Sequence, residues 1–134
     1  MTCSRADSLN EDPLHGFLIF LKLFADAMSD LPNGHAGCVA ASYCYQDQLF
    51  SRDIQDLYRG VFRSWRERFR ARLDLIASKY PPKVDLDLDT LADMLSATAD
   101  GGIILSKSMR EPSLLPKQIL LYRSFVRTVF LGTN

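Results

Sequence analysis

The stretch LDTLADMLSATADGGIILSKSM, residues 88–109, decides the fold. Its Leu88, Leu91, Leu95, Thr98, Gly102, Leu105 and Met109 recur at a spacing near 3.5 residues, the seam spacing of helices packed in bundles. A helix is therefore expected to begin after Asp87, with Asp89 in its first turn, where negative charge is favoured. Gly101-Gly102 lies inside it and costs on the order of 1 kcal/mol per residue relative to alanine. Such a cost is tolerated where helices meet closely or bend.

Working outward, residues 110–115 form a turn around Pro112, and Pro116 opens a last helix with Ile119, Tyr122, Val126, Val129 and Phe130 on one face. On the amino-terminal side Pro81-Pro82 stops a helix over 52–80, capped by Ser51 and about 43 Å long at 1.5 Å per residue. Its stripe runs Ile54, Leu57, Tyr58, Val61, Phe62, Trp65, Phe69, Leu73, Ile76 and Tyr80. A helix near 37–50 begins with small residues, Gly37 to Ser42, before Tyr43, Tyr45 and Phe50 add bulk. Another over 13–31 carries Leu14, Phe17, Leu18, Leu21, Phe24, Ala25, Met28 and Leu31, with Pro13 in first position and Pro32-Asn33-Gly34 ending it. Only Lys83–Leu88 resembles a strand, and it is short and acidic. Residues 1–12 are polar and without periodicity, a loose arm before a single domain over 13–134. The expectation is an all-α bundle of five helices.

Composition agrees with one globular domain: 134 residues, 47% hydrophobic, 24% charged, with 16 Lys+Arg against 16 Asp+Glu. A chain of this size buries roughly 70% of its extended surface, enough for a core without metal or disulfide staples. Zero net charge removes the long-range attraction to nucleic acid that a basic domain has. Charge is nevertheless segregated: residues 51–80 hold eight basic and four acidic groups, and residues 1–50 two and six. Cysteine count is low and odd, and Cys38 and Cys44 on one helix would sit about 9 Å apart along the axis, too far for a disulfide. A reduced, cytoplasmic setting is expected. Ala25-Asp26-Ala27 after the apolar Phe17–Leu21 mimics a signal cleavage site, but Asp7, Glu11 and Asp12 against Arg5 give the wrong charge ahead of it. No run approaches the ~20 apolar residues of a membrane span.

Catalytic and metal chemistry find little support. The glutamates are Glu11, Glu67 and Glu111, and no Glu-x-x-His, HExxH or paired Cys spacing occurs, so no metal, cofactor or catalytic set is expected. His15 and His35 read as surface residues near helix ends. Cys44 lies between two tyrosines and reads as a packing cysteine; Cys38 is slightly better placed, at a helix start. Arg59, Arg63, Arg66 and Arg70 form a stripe with Arg68 and Arg72 alongside. It is either an anion face or a solvated face paired with Glu67, Asp56, Asp74 or acidic segments elsewhere, and the neutral chain favours the second. Phe62, Trp65 and Phe69 share a face that either fills the core or lines an apolar pocket.

The order of features resembles a known family. A helix ends in Asp30-Leu31-Pro32-Asn33-Gly34-His35, and Gly37-Cys38-Val39-Ala40-Ala41-Ser42 follows. A long helix carries Trp65-Arg66-Glu67-Arg68-Phe69, and Leu91-Ala92-Asp93-Met94-Leu95 leads to Asp100-Gly101-Gly102-Ile103-Ile104-Leu105. Over residues 13–131 this resembles the C-terminal ligand-binding and dimerisation domain of TetR-family transcriptional regulators. The resemblance implies a homodimer whose last two helices pair with their counterparts in a four-helix bundle. The residues implied are Asp100, Gly101, Ile104 and Leu105 on one helix and Ile119, Tyr122, Arg123, Val126 and Phe130 on the other. It also implies a pocket for a small apolar effector, with Tyr43, Phe62, Trp65, Phe69, Met94 and Thr98 as lining candidates. DNA contact would come only through a helix-turn-helix domain, for which Met1–Asp12 has no room. The competing readings are a helical protein-interaction module or carrier without a DNA-regulatory role, and a helical enzyme using Cys44, Tyr43 or Asp100.

Overall fold

A computed structural model describes residues 12–31 and 51–133, in which the chain forms helices α1 (Pro13–Ser29), α2 (Arg52–Lys79), α3 (Leu88–Met109) and α4 (Leu114–Leu131). No strand occurs among the described residues, so the chain is all-α there. The helix expected over 37–50 lies outside them, as do Cys3, Cys38, Cys44, His35 and Tyr43. Four of the five expected helices are observed among the described residues, and the fifth falls outside them.

Local chemistry sets each boundary. The Asp12 carboxylate accepts from the His15 N–H, and Pro13 takes a position whose N–H would be unpaired in any case. Ser51 Oγ accepts from the Ile54 N–H, and α2 ends at Lys79, two residues before Pro81-Pro82, with Tyr80 as its cap. Asp87 accepts from the Asp89 and Thr90 N–H groups, and its carboxyl is lowered by the Thr90 hydroxyl and N–H before all else. Helix α3 ends on Arg110 at φ 55°, a left-handed cap held by a residue other than glycine. Helix α4 begins two residues before Pro116, which falls in the first turn and costs no hydrogen bond there. The segment between α2 and α3 is irregular rather than extended, tied down by the Lys83 N–H donating to the Val129 carbonyl at 2.7 Å.

Helix α4 is the centre of the packing, with α1 on one flank and α3 on the other, while α2 leans on α3 and touches α1 lightly. The main core joins Leu14, Phe17, Leu18 and Leu21 of α1, Leu73 and Ile76 of α2, Leu91, Ala92 and Leu95 of α3, and Tyr122, Val126, Val129 and Phe130 of α4. A second cluster at the other end joins Ala25, Ile103, Leu115 and Ile119. The buried Tyr122 hydroxyl donates to the Leu91 carbonyl at 2.8 Å, and burial raises its pKa far above the usual phenol value. Near the turn the buried Ser106 Oγ accepts from the Leu115 N–H at 3.0 Å, satisfying one of the first donors of α4.

The two adjacent glycines of α3 have different jobs. A Cβ on Gly102 would lie 2.9 Å from Leu115 Cδ1 and 3.2 Å from Leu115 Cα, whereas one on Gly101 would meet nothing within 4 Å. Gly102→Ala is therefore expected to lower the melting temperature, since overpacking of about 1–3 kcal/mol exceeds the gain in helix propensity of about 1 kcal/mol. Gly101→Ala should raise the stability of the isolated fold by about that propensity gain. Thermal melts of the two variants in dilute solution check the pair.

Asp12 also joins the ends of α1 and α2, because its carboxylate accepts from the Tyr80 hydroxyl at 3.1 Å. Burial works to raise this carboxyl, but the His15 N–H, the Tyr80 hydroxyl and the charge of Lys79 together hold it below the ordinary 3.8. The folded state thus binds this proton less tightly than the unfolded chain. Its stabilisation is present above about pH 4 and is lost as pH falls through the lowered value. Asp12→Asn keeps a capping side chain but removes the titration, so the acid limb of a melting-temperature profile should flatten below about pH 5.

Candidate functional site

Two surfaces are candidates: a cleft between α2 and α3, and the outward side of the α3–α4 hairpin. The cleft has a volume of about 590 Å³ and is open to solvent. From α2 it is lined by Arg59, Phe62, Arg63 and Arg66, and from α3 by Asp93, Ser96, Ala97 and Asp100. The α2 residues belong together because 59, 62, 63 and 66 recur at helical spacing; 93, 96, 97 and 100 do the same on α3.

Arginine–aspartate pairs close one end of this cleft. Arg66 grips Asp93 with both forks, Nε to Oδ1 at 2.8 Å and Nη2 to Oδ2 at 2.7 Å. One turn further along α2, Arg70 bridges Asp74 of its own helix at 2.8 Å and Asp89 of α3 at 3.0 Å. The hydrogen bond to Asp93 raises the Arg66 guanidinium above its usual value, and those to Asp74 and then Asp89 raise Arg70. These side chains are each at least a third exposed, so the pairs orient α2 on α3 more than they stabilise the fold. At the other end Arg59 reaches Asp56 only loosely, at 3.6 Å. Arg63 has no ion-pair partner among the described residues.

Of the residues implied as pocket lining, Phe62 faces the cleft and packs edge-on against the half-buried Trp65, ring centres 5.2 Å apart. Phe69 instead packs on the main core. Met94 is 39% exposed, Thr98 is half-buried, and neither lines the cleft. Tyr43 lies outside the described residues. Among the described residues the candidate lining thus reduces to Phe62, in a cleft whose walls carry charged side chains, while the helix over 37–50 expected to contribute to an apolar pocket lies outside them. The arginine stripe is the feature that forms the cleft: of the partners named for it, Asp56 and Asp74 pair on α2 and Glu67 makes no ion pair among the described residues, while the acidic partners from elsewhere are Asp89 and Asp93 of α3.

Among the residues implied for a dimer face, Ile119, Tyr122, Val126 and Phe130 are each 2% exposed or less, inside this chain's own core. They are unavailable to a second copy without unfolding, because α4 spends that face on α1 and α3. Arg123 is likewise engaged, its Nε–H donating to the Leu18 carbonyl at 2.7 Å. Asp100 belongs to the cleft. Gly101, Ile104 and Leu105 do point outward, the last two 39% and 43% exposed.

Reading the sequence alone missed the outward face of α4. Leu121 is 65% exposed and Phe125 40% exposed, with Leu114 half-buried on the same side. These positions, at intervals that fit one helical face, lie off the stripe through Ile119 and Val126 that α4 buries in the core. The signal was present: a helix apolar on both faces is covered on both sides. The stronger stripe through Ile119 and Val126 masked it. Among the described residues no group of three or more His, Cys, Asp or Glu side chains could hold a metal ion, and no helix is long and apolar enough to cross a membrane. No family model, curated protein or solved structure matches this chain.

Proposed function

We propose that this chain is the effector-binding and dimerisation domain of a cytoplasmic TetR-like transcriptional regulator, acting on DNA when joined to a helix-turn-helix segment. One observation carries the reading: the hairpin of α3 and α4 leaves large apolar side chains outside the core, Leu105, Leu121 and Phe125 each at least 40% exposed, and a Cβ on Gly101 of the same hairpin would meet nothing within 4 Å. Such a face on a monomer marks an interaction surface. Two antiparallel helices laid against their own symmetry mate give a four-helix bundle, and a twofold interface is self-complementary by construction.

An effector in the α2–α3 cleft would act by population shift. Arg66–Asp93 and Arg70–Asp89 fix α2 on α3 in one register, and a ligand that favours a second register shifts the balance by no more than its difference in affinity for the two. A coupling of about 1–3 kcal/mol is enough for regulation. The self-association is tested by light scattering on a gel-filtration column: a species of twice 15.2 kDa is expected at micromolar concentration, and a clean monomer overturns the reading.

A further inference from the structure

We propose that the α2–α3 cleft binds a monoanion with an apolar tail, an amphiphilic carboxylate, by its arginine-lined end. This assigns an effector class and rests on the functional reading above only for its regulatory meaning; the binding itself stands or falls separately.

Charge sets the sign and size of the head group. The cleft lining holds Arg59, Arg63 and Arg66 against Asp93 and Asp100, an excess of one positive charge that Asp56, 3.6 Å from Arg59, offsets only loosely, so a single carboxylate is favoured over a dianion and over a cation. Arg66 is already committed to Asp93 through two short hydrogen bonds. Arg59 and Arg63 are left to take the anion: one meets Asp56 at 3.6 Å, and the other has no ion-pair partner among the described residues. They stand one helical turn apart on the same face of α2, about 6 Å between Cβ atoms, close enough for two planar forks to bracket one carboxylate. Arginine suits this task because its donors are fixed in a plane that matches the carboxylate.

The tail follows from what lies between those arginines. Phe62 projects into the cleft from the same turn, its ring held in place by the edge-on contact with Trp65, and Ala97 faces it from α3. A volume of about 590 Å³ is within the usual range for a small-molecule site and larger than an inorganic anion needs. An alkyl or aryl group lying on Phe62 fills that room. A charged head beside an aromatic floor is the arrangement that separates an amphiphilic acid from an apolar molecule, which leaves Arg63 unused, and from a phosphate dianion, which overshoots the charge.

The test uses the full chain and decanoate, with decanol and decylamine of equal chain length, below their aggregation limits, followed by titration calorimetry. Decanoate is expected to bind one per protomer, at least tenfold more tightly than decanol, with decylamine silent, and to weaken as salt rises from 50 to 500 mM. Arg63→Gln should weaken decanoate about tenfold or more, the loss typical of a charge-assisted hydrogen bond. Arg59→Gln with Arg63→Gln should abolish it, while Arg68→Gln, on the same helix but outside the cleft, leaves it unchanged. Circular dichroism confirms that these exposed substitutions keep the helices. Equal affinity for decanoate and decanol, or decanoate binding indifferent to Arg63→Gln, overturns the proposal. So does the absence of binding at millimolar decanoate. Oligomeric state, measured on the same samples without ligand, reads the dimer independently.

Discussion

Tyr122→Ala is expected to remove about 3–5 kcal/mol of folding stability, a large share of what a domain of this size has. Tyr122 is 2% exposed and sits where α4 meets α3 in the main core, so truncation leaves a cavity walled by helices that close only in part. Its hydroxyl is also the donor to the Leu91 carbonyl at 2.8 Å. Tyr122→Phe separates the two contributions: it keeps the ring and should cost about 1 kcal/mol, the net worth of one buried hydrogen bond. Urea unfolding of the three proteins measures both steps. A loss below about 1 kcal/mol for Tyr122→Ala would mean that α4 is not the hub of the fold.

That contrast shows how much was legible beforehand. Helix limits were readable because they are set by neighbours in sequence: Pro13, Ser51, Asp87 and Pro81-Pro82 all act within one turn, while the Asp12 cap of α1 was hidden in a polar arm. The core face of each helix followed from spacing, since Leu14, Phe17, Leu18 and Leu21 can share only one side. What spacing does not encode is which covered face meets the same chain and which meets another. Ile119 and Val126 carry the stronger stripe and go to the interior, leaving Leu121 and Phe125 outside. The cleft was hidden for a similar reason. Arg66 and Asp93 lie 27 residues apart, and only the packing of α2 on α3 turns a solvated arginine stripe into a lined wall. Gly102 was readable as a close approach, while Gly101 beside it looked identical and is open.

The second large effect is on assembly. Leu121→Asp combined with Phe125→Asp should convert a dimer to a monomer while leaving the helical spectrum intact. Both side chains leave the core alone, at 65% and 40% exposure, and substitutions at such positions usually change the stability of the fold by no more than about 0.5 kcal/mol each. Across a twofold interface every substitution counts twice, so the variant brings four carboxylates into one apolar patch. Each would lose its water without gaining a cation, a penalty of several kcal/mol per ion, more than an interface of ordinary size can absorb. Gly101→Ala sharpens the result, because a methyl group that meets nothing in the lone fold and stabilises its helix would, in the proposed dimer, hold the two hairpins apart. It should therefore raise the melting temperature of the Leu121→Asp, Phe125→Asp monomer and weaken the parent dimer. If Gly101→Ala strengthens both, the two copies do not meet along α3; if the double aspartate variant remains dimeric, they do not meet along α4 either.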